Sequence, residues 1–117
     1  MDEAKARFLF GEVPPGIDLD DPEERALFFE EADPDEERPA WAALQSVIAN
    51  QVADDTPAEV WQVARDLVGH GIDRAEVLEQ LTLTLAYFTR RILAEERGFD
   101  EAAYGAALRR LPLPDPG

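Results

Sequence analysis

Carboxylates supply most of the reactive functionality in this sequence, and three of them share a helical spacing. Asp73, Glu76 and Glu79 lie three residues apart, so a helix stacks them about one turn apart. Such a ladder could offer hard oxygen ligands to a divalent cation. Metal sites in helical bundles, however, combine Glu-x-x-His with acids from neighbouring helices, and no histidine accompanies this ladder. A solvated acidic face is the simpler expectation. Asp54-Asp55 is a second pair of oxygen donors. It lacks the spaced Asp/Asn/Gly pattern of a calcium loop, and ending one helix and capping the next accounts for it.

His70, the one histidine, sits between Gly69 and Gly71 at the end of a helical pattern. Unpaired carbonyls favour a cation there, so it is expected to cap rather than to catalyse. Asn50 and Gln51 are adjacent amides inside an apolar helical pattern. They can hydrogen-bond across a bundle and fix the register of neighbouring helices, or line a small polar pocket as ligand-binding residues. No phosphate-cradling glycine loop, Gly-x-Ser-x-Gly elbow or dinucleotide fingerprint occurs. With no cysteine, thiol nucleophiles, disulfides and Cys-ligated metals are excluded. The chain is therefore read as a non-enzyme, with no cofactor expected.

The elements that must position these residues are helical. Asp21-Pro22-Glu23-Glu24 has the capping residue, first-position proline and capping-box glutamate of a helix start. That helix should pass through Leu27-Phe28-Phe29 and stop before Asp33-Pro34. A second helix is predicted from near Pro39 to about Ala53, with Trp41, Leu44, Ile48 and Val52 as its apolar stripe. Thr56, Pro57 and Glu59 repeat the start signal for a third. Val60, Trp61, Ala64, Leu67 and Val68 form its inner face, and Gly69 and Gly71 mark its end.

Asp73 and Glu76 open a fourth and longer helix, about residues 74–96. Leu78, Leu81, Leu85, Phe88 and Ile92 form one face, and Leu83 and Tyr87 add a second, which marks this helix as central. Asp100 caps a last helix, about 101–110. No alternating strand pattern appears. The expected fold is all-α: a compact, single-domain bundle of four to six helices over residues 22–110. Residues 1–21 precede it as an irregular acidic arm in which Phe8-Leu9-Phe10 ends a short docking helix before Val13-Pro14-Pro15. Residues 111–117 follow as a tail with Pro112, Pro114 and Pro116.

The net charge of −15 comes from 26 acids against 11 bases, and residues 1–38 alone hold 14 of the acids against 4 bases. Such a surface repels phosphate, so neither nucleic acid nor membrane is an expected partner. It confers solubility, attracts a basic protein, or imitates nucleic acid in a basic groove. No stretch approaches the length of a membrane span, and Met1-Asp2-Glu3-Ala4-Lys5 is acidic where a signal peptide is basic. A cytoplasmic location is expected. Ten of the 11 basic residues are arginine, which with the many alanines suggests a high-GC bacterial genome.

The stretch Val47-Ile48-Ala49-Asn50-Gln51-Val52-Ala53-Asp54-Asp55-Thr56-Pro57-Ala58-Glu59-Val60-Trp61, continued by Ala64-Arg65-Asp66-Leu67 and Gly71-Ile72-Asp73-Arg74, resembles the bacterial family of unknown function numbered 1841. The resemblance covers about residues 39–96. Members of that family follow the arginine with His-Glu-x-x-His and carry further histidines upstream, which implies a metal site. Here Ala75 and Glu79 stand where those histidines would be and only Glu76 is retained. Upstream, Trp41 and Gln45 stand near the other histidine positions. The resemblance implies a helical scaffold without the imidazoles of a zinc hydrolase.

The leading expectation is a small, non-catalytic module that binds another protein. The alternative is a divergent metal- or small-ligand-binding protein, using Asp73, Glu76, Glu79 and Gln45, or Asn50 and Gln51. A homodimer is open too: Phe8, Phe10, Phe28 or Phe29 could cover a dimer surface or pack within the chain.

Overall fold

Six helices carry the chain in the computed structural model, and residues 1–11, 16–32, 40–95 and 98–112 are described. They are α1 (Glu3–Phe10), α2 (Pro22–Ala32), α3 (Trp41–Asp54), α4 (Ala58–Gly69), α5 (Arg74–Glu95) and α6 (Glu101–Arg109). Among the described residues there is no strand, in agreement with the all-α expectation. The predicted breaks at Val13-Pro14-Pro15 and Asp33-Pro34, the start at Pro39, and Pro114 and Pro116 lie outside the described residues.

Local chemistry sets most helix ends. Asp2 accepts from the amides of Ala4 and Lys5, Asp21 from that of Glu23 at 2.9 Å, and Asp100 from that of Ala103 at 3.0 Å. Each meets a first-turn amide that the helix itself leaves unpaired. At the end of α4 the amide of His70 donates to the carbonyls of Asp66 and Leu67, and its ring Nδ1 also lies 2.6 Å from the Asp66 oxygen. Histidine thus caps, as its position suggested. Gly71, at φ +94°, rather than Gly69, makes the left-handed turn.

Two capping expectations are corrected. Glu24 does not close a capping box on Asp21; its carboxylate accepts from the backbone of Asp18. The Asp21 amide instead donates to the Asp18 carbonyl, so the acceptor a capping box would provide is not needed. Thr56 does not cap α4. Pro57 occupies the capping position, and the Thr56 hydroxyl donates back to the Asp54 carbonyl.

The core runs through all six helices. Ile48, Ala49 and Val52 of α3, Val60 and Ala64 of α4, Val77 and Leu81 of α5, and Tyr104 and Leu108 of α6 are sealed from solvent. The N-terminal helix belongs to this core, since Phe8, Leu9 and Phe10 are all buried. Phe10 meets Phe28 and Phe29 of α2 at ring separations of 5.0 and 5.4 Å. Phe8, Phe10 and Phe29 are therefore spent within the chain, with Phe28 partly buried against them. Burying a side chain of this size contributes about 1.5–3 kcal/mol. Leu111 is buried as well.

Helix α5 packs on α1, α3, α4 and α6, the central place expected for it. Its second apolar side is not internal, however: Leu83 is 43% exposed and Tyr87 58%. The angular room inside is taken by Thr82 and Thr84, whose hydroxyls donate to the carbonyls of Leu78 at 2.7 Å and Gln80 at 2.8 Å. Threonine can be buried there because its own helix satisfies the hydroxyl.

Candidate functional site

The amides singled out from the sequence act as ties between helices. Asn50 Oδ1 accepts from Nη2 of Arg25 at 2.8 Å, joining α3 to α2. Gln51 Oε1 accepts from the Tyr104 hydroxyl at 2.9 Å, joining α3 to α6. Gln45 is half-buried one turn before Ala49. The side-chain oxygens of the first two already accept from protein donors, and none of the three lines the cleft described below.

Arg25 is the unanticipated member of this set. It is 4% exposed. Its Nη1 donates to the Leu19 carbonyl at 2.7 Å and its Nη2 to Asn50, while its Nε has no hydrogen-bond partner among the described residues. Arg25 and Phe29 are the buried residues one turn apart on α2. An arginine in register with a phenylalanine was the one signal that could have exposed it.

Asp73, Glu76 and Glu79 are exposed. Among the described residues no three histidine or carboxylate side chains come together to hold an ion. All three carboxylates face solvent. Asp55 is engaged elsewhere: its carboxylate accepts from Lys5 Nζ at 3.0 and 3.1 Å.

The site the structure does assemble lies between α1, α4 and the first turn of α5. A cleft of about 590 Å³ opens there. Its floor is apolar: Ala4 and Phe8 from α1, and Trp61, Ala64 and Val68 from α4. Phe8 and Trp61 meet at 6.1 Å with their planes inclined by 57°, and Lys5 Nζ lies 6.0 Å from the Trp61 ring centre, within reach of a cation–π attraction. Helical spacing puts Trp61, Ala64 and Val68 on one face of α4. The sequence pattern placed all three inside, but Trp61 is half-buried and Val68 41% exposed because α1 covers that face only in part.

Three arginines ring this floor, Arg7 from α1, Arg65 from α4 and Arg74 from α5, with Glu3 as the one acid beside them. Arg7 pairs with Glu3 at 2.8 Å, both largely exposed, a surface pair worth only a few tenths of a kcal/mol. Arg74 is held more firmly. Its Nη1 donates to the Phe8 carbonyl at 3.2 Å, and its guanidinium packs over Gly11. A Cβ at residue 11 would sit 2.5 Å from Nη2. Gly11 also has φ +70°, so the backbone there favours glycine, and a Cβ would in addition push the end of the Arg74 side chain aside. A cationic rim of this kind runs against a net charge of −15.

Chemically the cleft is suited to recognition. Guanidinium forks match carboxylates in bidentate geometry, the aromatic floor takes an apolar side chain, and arginine does not give up its proton. Among the described residues no helix is long and apolar enough to cross a membrane.

Searches against protein-family models, curated proteins and solved structures found no match to this chain.

Proposed function

We propose that the chain is a small, non-catalytic protein-interaction module whose α1–α4 cleft takes an apolar side chain flanked by acids from a partner protein. The observation that carries this reading is the juxtaposition of Arg7, Arg65 and Arg74 around the Phe8–Trp61 floor in a chain of net charge −15. The acidity of the first 38 residues argued for a basic partner. The cleft argues for an acidic one, and it is the more specific feature because it joins shape to charge.

Tryptophan fluorescence tests the proposal. In a Trp41→Phe background Trp61 is the sole emitter. Titration with a synthetic peptide alternating leucine with glutamate should shift and saturate its emission. The same peptide with lysine for glutamate should not, and Arg65→Glu should weaken the acidic peptide by about tenfold or more, as losing a charge-assisted contact does. A flat response to both peptides, or preference for the basic one, rejects the reading.

A further inference from the structure

The outer face of α5 has an order along its length that suits a second copy of itself. With 100° per residue, Glu76, Glu79, Leu83, Tyr87 and Arg90 fall on the side opposite Leu81 and Leu85, with Arg91 on its flank, and all six are exposed. Along the helix this face reads acid, acid, apolar, apolar, base, base. Glu79 and Arg91 are equidistant from residue 85, and so are Leu83 and Tyr87. The two charges stand about 18 Å apart and the two apolar residues about 6 Å apart at 1.5 Å per residue.

We infer that this chain forms an isologous homodimer through α5, packed antiparallel about residue 85. A two-fold axis there sets Leu83 of each copy against Tyr87 of the other. It also brings Glu79 of each copy level with Arg91 of the other, from opposite flanks of the seam, so unlike charges approach at both ends. The parallel arrangement would oppose Glu79 to Glu79 and Arg91 to Arg91. Two-fold symmetry requires self-complementarity of this kind.

The neighbouring surface fits the same occupant. A groove of about 600 Å³ lies between α5 and α6 beside Tyr87, with Ala103, Ala106 and Ala107 as its small-residue wall. Small side chains let a partner helix approach closely. The groove has Arg91 and Arg110 in its lining and no acid, a basic stretch that suits the Glu79 end of a second copy in a chain of net charge −15. Arg91 already pairs with Glu95 at 3.3 Å and lies 5.8 Å from the Tyr87 ring centre. Exposed pairs of this spacing are weak and exchange for a new partner at little cost.

Sedimentation equilibrium tests the dimer, with circular dichroism to confirm that each variant keeps its helicity. The wild-type chain should reach twice its mass of 13.0 kDa as its concentration rises. Glu79→Arg and Arg91→Glu, each alone, should weaken the dimer by about tenfold, and E79R/R91E together should restore it. A wild-type chain that stays monomeric to its solubility limit overturns the proposal. So does a dimer indifferent to the single changes, or a double variant no more dimeric than either single one. None of these residues lines the α1–α4 cleft, so failure here leaves the peptide test of that cleft unaffected.

Discussion

The Tyr104 hydroxyl on α6 donates to Gln51 Oε1 on α3 across 2.9 Å, from a side chain with no solvent exposure. Burial raises the Tyr104 phenol above the ordinary tyrosine range, with the Gln51 bond offsetting part of the rise. The bond thus joins the last helix to the third in a setting where losing either partner leaves the other in poor company.

Tyr104→Phe keeps the ring and removes the donor. Gln51 Oε1 then lies half-buried without it, and stability should fall by about 1–2 kcal/mol. Urea unfolding checks this: the midpoint should drop with no change in slope.

The raised phenol also sets an alkaline limit. Folded Tyr104 stays protonated where the unfolded chain's tyrosine has ionised, so its contribution is complete below about pH 10 and is lost as the pH climbs beyond it. In a Tyr87→Phe background, the ultraviolet signal of tyrosinate from Tyr104 should appear together with loss of helicity. Ionisation at about pH 10 in a fully helical chain would contradict the burial.

Arg25 and Asn50 should be strongly coupled. Asn50→Leu removes an acceptor from a buried guanidinium whose Nε already lacks one and should cost about 2–4 kcal/mol. Adding Arg25→Met removes the charge and should recover a large part of that loss. The double-mutant cycle, measured by urea unfolding, should give a coupling of about 1 kcal/mol or more.

Gly11→Ala places a Cβ against the Arg74 guanidinium and forces alanine to φ +70°. A loss of about 1–3 kcal/mol is expected. Arg74→Ala in the same chain should relieve only the steric part, because the backbone strain remains. Thermal unfolding of the two variants separates the parts.

What the sequence made legible was whatever rested on neighbours in the chain. Asp21, Asp100 and His70 sit at helix ends because a cap needs only residues within one turn. The stripe Ile48–Val52 and the run Leu78–Leu81–Leu85–Phe88 are buried because spacing alone defines a helical face. Asn50 and Gln51 stood out as amides in an apolar setting, though their partners did not. Arg25 and Tyr104 lie 25 and 53 residues away from them, and no local pattern records such distances. The cleft was hidden for the same reason: Arg7, Arg65 and Arg74 come from three helices. Leu83 and Tyr87 misled because hydrophobicity indicates which side chains avoid water, and cannot say which of two apolar faces finds a partner inside the chain.

The attachment of α2 has a further consequence. This helix leans chiefly on α3, with Phe28 and Phe29 reaching Phe10, whereas α5 is held on four sides. Its release would also return the Arg25 guanidinium to water, regaining hydration that no protein group supplies to Nε. Opening at α2 therefore parts fewer neighbouring helices than opening at α5 would. The amides of α2 should exchange with solvent well ahead of those in α5.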